Sequence, residues 1–188
     1  IGGTEYLRYT DGDGTEHYFR KDSSKEAGYF YDEDGLGLKI KAVSGGYEMS
    51  DDKDTRYAFS DGYLKTVTDA NGNQIRMTYS GGRLTAVTQK NNGGSEITAA
   101  ALTYSGSRLT AIRDGAGNTT TLSYTDGKLT GITRNGTALA RYAYSGQRLS
   151  RMTDAEADYS LNFTYAGGRV SAYWEAGGSS TGAKVGVT

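Results

Sequence analysis

His17 is the only histidine among the 188 residues, and it lies between Glu16 and Tyr18. To act as a general base it would need a nucleophile beside it and a third group to orient it. The serines within view, such as Ser60 and Ser80, are accounted for as the flanks of tight turns. A lone histidine also rules out a histidine-rich zinc site. Asp11-Gly12-Asp13-Gly14 and Asp32-Glu33-Asp34-Gly35 superficially resemble calcium loops. Calcium takes roughly six to eight oxygens, and neither stretch has the EF-hand spacing with its distant bidentate glutamate. Asp-Gly turns explain both. Nothing in the sequence selects a glycosidase-like carboxylate pair, and no glycine-rich stretch leads into a helix start that could hold phosphate. With no cysteine there is neither a disulfide nor thiol chemistry. The residues argue against an enzyme and against a required metal or cofactor.

The recurrent charged constellation is Arg83, Arg108, Lys128, Arg148 and Arg169. These fall at equivalent points of a repeat, so stacked copies would set them in a row along one edge. Such a row beside tyrosine rings is a candidate edge for an anionic polymer or a glycan. A net charge of −1 and the use of charges to solvate exposed turns support the plainer account, a solvated edge.

The elements that carry this row are read from the stretch 75–88, Ile-Arg-Met-Thr-Tyr-Ser-Gly-Gly-Arg-Leu-Thr-Ala-Val-Thr, which recurs along the chain. Aligned on the aromatic residue, the copies centre on Phe59, Tyr79, Tyr104, Tyr124, Tyr144 and Tyr165, about 20 residues apart except after Thr88. Each aromatic is followed by a turn pair: Asp61-Gly62, Gly81-Gly82, Gly106-Ser107, Asp126-Gly127, Gly146-Gln147 or Gly167-Gly168. These pairs suit the primed turns of two-residue hairpins, which need positive φ. Such a loop sets the register and predicts the cross-strand pairs Phe59/Leu64, Tyr79/Leu84, Tyr104/Leu109, Tyr124/Leu129, Tyr144/Leu149 and Tyr165/Val170. Tyr57, Met77, Leu102, Leu122, Tyr142 and Phe163, two residues before each aromatic, share its face. One position breaks the alternation. Val67, Val87, Ile112, Ile132, Met152 and Tyr173 fall on the opposite face unless a bulge returns them to the apolar side. A bulge is the preferred reading, and a sheet burying something on both faces is the other.

The 28 glycines and absence of proline suit a chain made almost wholly of strands and primed turns. Hydrophobic residues make up 36%, with 16 tyrosines carrying much of the apolar area. That composition predicts layered packing with little three-dimensional core. No helical periodicity appears, and no run of roughly 18 apolar residues that could span a membrane as a helix. The expected organisation is a degenerate hairpin or capping segment over 1–54, six hairpin repeats over 55–175 and a Gly/Ser-rich frayed tail over 176–188.

Tyr79-Ser80-Gly81-Gly82-Arg83-Leu84-Thr85-Ala86-Val87, preceded by Asp69-Ala70-Asn71-Gly72-Asn73, resembles the tyrosine-aspartate (YD) repeats of the Rhs family and of bacterial wall-associated proteins. Asp114-Gly115-Ala116-Gly117-Asn118-Thr119-Thr120-Thr121-Leu122-Ser123-Tyr124 is similar to another copy. The resemblance implies an all-β fold of meandering antiparallel hairpins whose twisted sheet spirals into a shell. In toxin-bearing members that shell encloses a C-terminal effector. It also implies a segment of a longer secreted or cell-surface bacterial protein, and adjacent repeats of the same chain as its first partners. The family's Pro-containing autoproteolytic motif is not in this sequence. A structural, encapsulating role is therefore expected, with a carbohydrate-binding adhesion module using tyrosine-rich faces as the alternative. An uncovered apolar face and open strand edges predict self-association of the isolated segment.

Overall fold

The structure is a computed structural model and describes residues 5–178 and 180–187. Positions 1–4 of the expected capping segment, and 179 and 188 of the expected tail, lie outside them. The described residues form an antiparallel all-β meander, divided into two compact units, the first ending at Ala99 and the second beginning at Ala100.

The first unit holds β1 (Tyr6–Thr10), β2 (Glu16–Lys21), β3 (Tyr29–Asp32), β4 (Lys39–Val43), β5 (Gly46–Ser50), β6 (Arg56–Ser60), β7 (Tyr63–Thr68), β8 (Gln74–Ser80) and β9 (Arg83–Lys90). Each pairs antiparallel with the next. Cross-strand pairs Leu7/Phe19, Phe30/Ile40, Ile40/Met49 and Met49/Tyr57 set apolar residues on one face. There Phe19, Phe30, Ile40 and Met49 are buried, with Leu7, Tyr9, Leu38, Tyr57 and Phe59 packed around them. The Tyr9 ring meets Phe59 edge-on, centroids 5.9 Å apart, so β1 comes back against β6. The core expected to be small is this one cluster, and it lies in the least regular part of the sequence.

The second unit holds β10 (Glu96–Ser105) from Ala100 onward, then β11 (Arg108–Asp114), β12 (Thr119–Thr125), β13 (Lys128–Arg134), β14 (Thr137–Ser145), β15 (Arg148–Asp154), β16 (Tyr159–Ala166) and β17 (Arg169–Gly177). Two short strands, β18 (Ser180–Thr181) and β19 (Val185–Gly186), both pair with β17. Among the described hydrophobic residues of this unit only Ala172 is buried, and the large side chains of its apolar face stay half-exposed or exposed.

The turn grammar is realised residue for residue. Phe59 pairs with Leu64 and Tyr79 with Leu84 in the first unit. Tyr104 pairs with Leu109, Tyr124 with Leu129, Tyr144 with Leu149 and Tyr165 with Val170 in the second. Asp126 and Gly127 have φ of 49° and 81°, both positive as a type I′ turn requires. The choice between a bulge and a two-faced sheet falls to the bulge. In every hairpin the register shifts immediately before the aromatic residue, leaving Lys65, Thr85, Thr110, Thr130, Ser150 or Ser171 as the extra residue on the second strand. Val67, Val87, Ile112, Ile132, Met152 and Tyr173 are thereby brought opposite Tyr57, Met77, Leu102, Leu122, Tyr142 and Phe163. Four of the extra residues use their hydroxyls at the distortion, Ser171 donating to the Thr164 hydroxyl at 3.2 Å. Thr85, Thr110 and Thr130 each donate to a backbone oxygen across the hairpin, that of Thr78, Thr103 or Ser123, at 3.2 Å.

Candidate functional site: the contacts that fasten one hairpin to the next

The repeated tyrosine does more than pack. In the second unit the Tyr124 hydroxyl donates to the Leu109 carbonyl at 2.9 Å, Tyr144 to Leu129 at 2.9 Å and Tyr165 to Leu149 at 2.8 Å. The acceptor is always the aliphatic residue of the preceding hairpin, 15 or 16 positions earlier. The basic residue beside that acceptor lies over the same ring. Arg108 Cζ is 5.9 Å from the Tyr124 centroid, Lys128 Nζ 5.6 Å from Tyr144 and Arg148 Cζ 5.4 Å from Tyr165. Lys128 Nζ also donates to the Gly146 carbonyl at 2.5 Å. A hydroxyl–carbonyl bond and a cation over a ring are each worth about 0.5–1.5 kcal/mol at such half-exposed positions. Each of these three copies adds that again.

The first unit reaches the same end differently. Tyr63 stands where later copies carry the cation, and its ring lies 4.8 Å from that of Tyr79. Lys65 Nζ covers both rings, 5.4 Å from Tyr63 and 5.0 Å from Tyr79. The covering group also presses on the next turn. A Cβ at Gly127 would lie 2.8 Å from Arg108 Nη2, and one at Gly82 would lie 3.0 Å from the Tyr63 hydroxyl.

Of the candidate polyanion or glycan edge, then, Arg108, Lys128 and Arg148 are each engaged with the ring of the next hairpin. Arg83 also has a partner of its own. Arg169 is exposed at the start of β17. The sequence signal that could have revealed these contacts is the choice of tyrosine over phenylalanine at a fixed distance after a basic-aliphatic pair.

The opposite ends of the hairpins are fastened by asparagine. Asn92 donates its backbone N–H to Asn73 Oδ1 at 3.0 Å and its Nδ2 to the Asn71 carbonyl at 2.9 Å. Asn135 Nδ2 donates to Asn118 Oδ1 at 2.9 Å, while Asn135 Oδ1 accepts from the Thr119 N–H at 2.8 Å. Arg134 adds an ion pair to Asp114 at 3.0 Å. Beneath them, Asp69 Oδ1 accepts the N–H groups of Asn71 and Asn73, both at 2.9 Å, and Asp114 Oδ1 those of Ala116 and Asn118 at 3.0 and 2.8 Å. The side-chain amide of Asn73 holds the Asp69 carboxyl below the ordinary carboxylate range, and that of Asn118 does the same for Asp114.

The Asp-Gly stretches before the repeats work in the same way. Asp11 Oδ1 accepts from Asp13 N and Thr15 N, and Asp32 spends its two oxygens on Leu36 N and Leu38 N. Thr15, chiefly through its hydroxyl, brings the exposed Asp13 down to about 2. These carboxylates act as turn acceptors. No cluster of three or more His, Cys, Asp or Glu side chains able to hold a metal ion occurs among the described residues.

His17 sits on β2 with its side chain only 12% exposed, Nδ1 3.0 Å from Asp34 Oδ2 and Nε2 3.3 Å from Asp11 Oδ2. Its ring stacks on Tyr9 with centroids 6.0 Å apart. Both nitrogens face carboxylates, so neither is placed to take a proton from a nucleophile. The hydrogen bonds the ring donates to Asp34 and then Asp11 raise the imidazole pKa against the opposing effect of burial. A histidine raised in the folded state contributes stability that is full below its unfolded value of about 6.5 and is lost as pH rises through the folded value. The stability difference between the parent chain and His17→Gln is accordingly expected to be largest near pH 5.5 and to shrink toward pH 9. Paired thermal melts across that range check it, and a difference independent of pH would mean that the imidazolium is not what holds the two loops.

No protein-family model matches the chain, and no curated protein matches it. Among solved structures it is similar to a crystal structure of TcdB2-TccC3 without the hypervariable C-terminal region. The identity is 16% over 98% of this chain and 12% of that one, with a TM-score of 0.47. It is similar to TcdB2-TccC3-TEV at 12% identity, over 95% of this chain and 14% of the other, TM-score 0.34. It is also similar to a chain of the Photorhabdus luminescens Tc holotoxin pore at 13% identity, over 92% and 13%, TM-score 0.30. The chain thus spans 12 to 14% of the length of these matched chains.

Proposed function

We propose that this chain is a non-catalytic structural repeat segment of a secreted or cell-surface protein of the YD-repeat kind, contributing to a β-shell around a C-terminal effector. The observation that carries the reading is the division of labour within each repeat. Tyrosine, aliphatic carbonyl and basic residue are used up in joining hairpin to hairpin, while the shared apolar face of the second unit is left half-exposed. A sheet with Leu122, Ile132, Leu129 and Tyr144 on one uncovered side presents an apolar patch that a soluble protein ordinarily covers. Further strands of a shell, or its contents, would cover it. The reading of the repeat tyrosines as sugar platforms has less support, because a cation already lies over the rings of Tyr124, Tyr144 and Tyr165.

The expected result is self-association of the isolated chain at micromolar concentration, with saturable binding of an apolar dye. Both should be reduced by Ile132→Lys on the apolar face. Sedimentation velocity and dye fluorescence report the two effects, and circular dichroism confirms that the variant keeps its strands. A chain that stays monomeric and dye-free would mean that the face is already covered, and a self-contained binding module would become the better description.

A further inference from the structure

A recess of about 440 Å³ lies in the second unit, walled by Arg141 of β14, Arg151 and Thr153 of β15 and Ser160 of β16, with Asp158 at the turn before β16. Its volume is that of a small-molecule site, about 300–1,000 Å³. The strand register brings these side chains together. Arg141 pairs with Thr153, Thr153 with Ser160 and Ala143 with Arg151, so the two arginines are diagonal neighbours on one face. Alternation sets that face opposite to Tyr142 and Met152, which pair among the repeat's apolar residues.

Arg151 departs from the repeat. The equivalent residue, two after the aliphatic partner, is Thr66, Ala86, Ala111, Gly131 or Ala172 in the other copies. Only this copy sets a long cation there, beside the arginine of its own first strand. Arg8, Arg20, Arg76 and Arg134 each have a carboxylate partner. The exposed side chains of Arg141 and Arg151 make no ion pair, hydrogen bond or ring contact with any described residue. Neighbouring like charges on a sheet repel, and an anion between them turns that repulsion into attraction. The recess also holds a spare donor. Ser160 is buried, at 4% exposure, and its hydroxyl lies 2.9 Å from that of Thr153. Two hydroxyls bring two protons and use one on each other, which leaves the second for an acceptor that the described residues do not supply.

We propose that this recess binds a phosphate group. The guanidinium forks of Arg141 and Arg151 clamp its oxygens, the Thr153–Ser160 pair donates its remaining proton to one of them, and Asp158 accepts from a phosphate hydroxyl. The free ion and a phosphate monoester present the same group. Sulfate has the same tetrahedral shape but carries no proton near neutral pH, so a carboxylate in the lining disfavours it. The site makes no use of the repeat's apolar face and is independent of what, if anything, a shell would enclose.

The test is calorimetric titration of the chain at low salt with inorganic phosphate, glycerol phosphate and sulfate. Phosphate is expected to bind once per chain and about tenfold more tightly than sulfate, and whichever of the two phosphates binds more tightly assigns the group to the free ion or to an ester. Arg141→Gln and Arg151→Gln should each weaken phosphate about tenfold or more, the effect of losing a charge-assisted hydrogen bond. Arg151→Lys, which keeps the charge without the fork, should fall between. Asp158→Asn should close the gap between phosphate and sulfate. Circular dichroism confirms that these exposed substitutions leave the strands intact. Absence of binding by either phosphate, equal affinity for sulfate in the parent chain, or an Arg151→Gln chain that binds like the parent would each overturn the proposal. Binding is counted per chain in whatever association state it adopts, so failure here is separable from failure of the shell reading.

Discussion

Gly46→Ala is expected to break the pairing of β5 with β6 and with it the packing of the first unit. A Cβ at Gly46 would lie 1.9 Å from the Phe59 carbonyl oxygen and 3.2 Å from the Ser60 Cα. Both are backbone atoms, so no side chain can swing aside, and relief comes only by separating the strands. That separation would pull Tyr47 from Phe59 and Met49 from Tyr57, and Met49 is among the buried residues of the core. Ordinary overpacking costs about 1–3 kcal/mol, and this substitution should exceed that range. The adjacent Gly45 has φ of 82° but open space where a Cβ would stand, so Gly45→Ala should cost only about 1–2 kcal/mol of left-handed strain. Urea unfolding of the two variants side by side checks the contrast. Equal midpoints would show that β5 can slide without loss.

The second large effect is Phe19→Ala. Phe19 is fully buried, at 0% exposure, in the cluster with Phe30, Ile40 and Met49. Removing a buried phenylalanine ring costs about 3–5 kcal/mol in transfer and cavity terms. Leu122→Ala in the second unit removes a side chain that is already half-exposed, and it should cost much less. Equilibrium unfolding of both variants measures the difference. A Phe19→Ala loss no larger than that of Leu122→Ala would place the stabilising core elsewhere.

The repeats were legible because their information is local. Asp126-Gly127 dictates a turn, the turn dictates the pairing of Tyr124 with Leu129, and that register dictates the face. Even the misplaced Ile132 announced a bulge by failing to alternate. The first unit was less legible because its buried core is assembled from single residues of four short strands with no common period. Phe19 follows Tyr18, Phe30 lies between two tyrosines, and Met49 sits on a strand that the pattern did not predict, β5. Its Ser44-Gly45 turn was the available signal. Burial of these side chains depends on β1 meeting β6, a contact between Tyr9 and Phe59 that no local window contains. The fastenings between hairpins stayed hidden for another reason. A tyrosine at an apolar position reads as a packing residue, and only the folded chain shows where its hydroxyl ends.

Those hydroxyls all point one way along the chain. Tyr124, Tyr144 and Tyr165 each donate to a residue nearer the N-terminus, and the cation that covers each ring is also supplied from that side. A hairpin leaving the ribosome therefore finds the acceptor and the cation for its tyrosine already synthesised. The array can be laid down in the order of translation, like masonry set course upon course, with each step closing contacts only 15 or 16 residues apart. Long β-proteins ordinarily run the risk of pairing the wrong strands while the chain is incomplete. Here each of these three tyrosines finds its acceptor in the hairpin made before it.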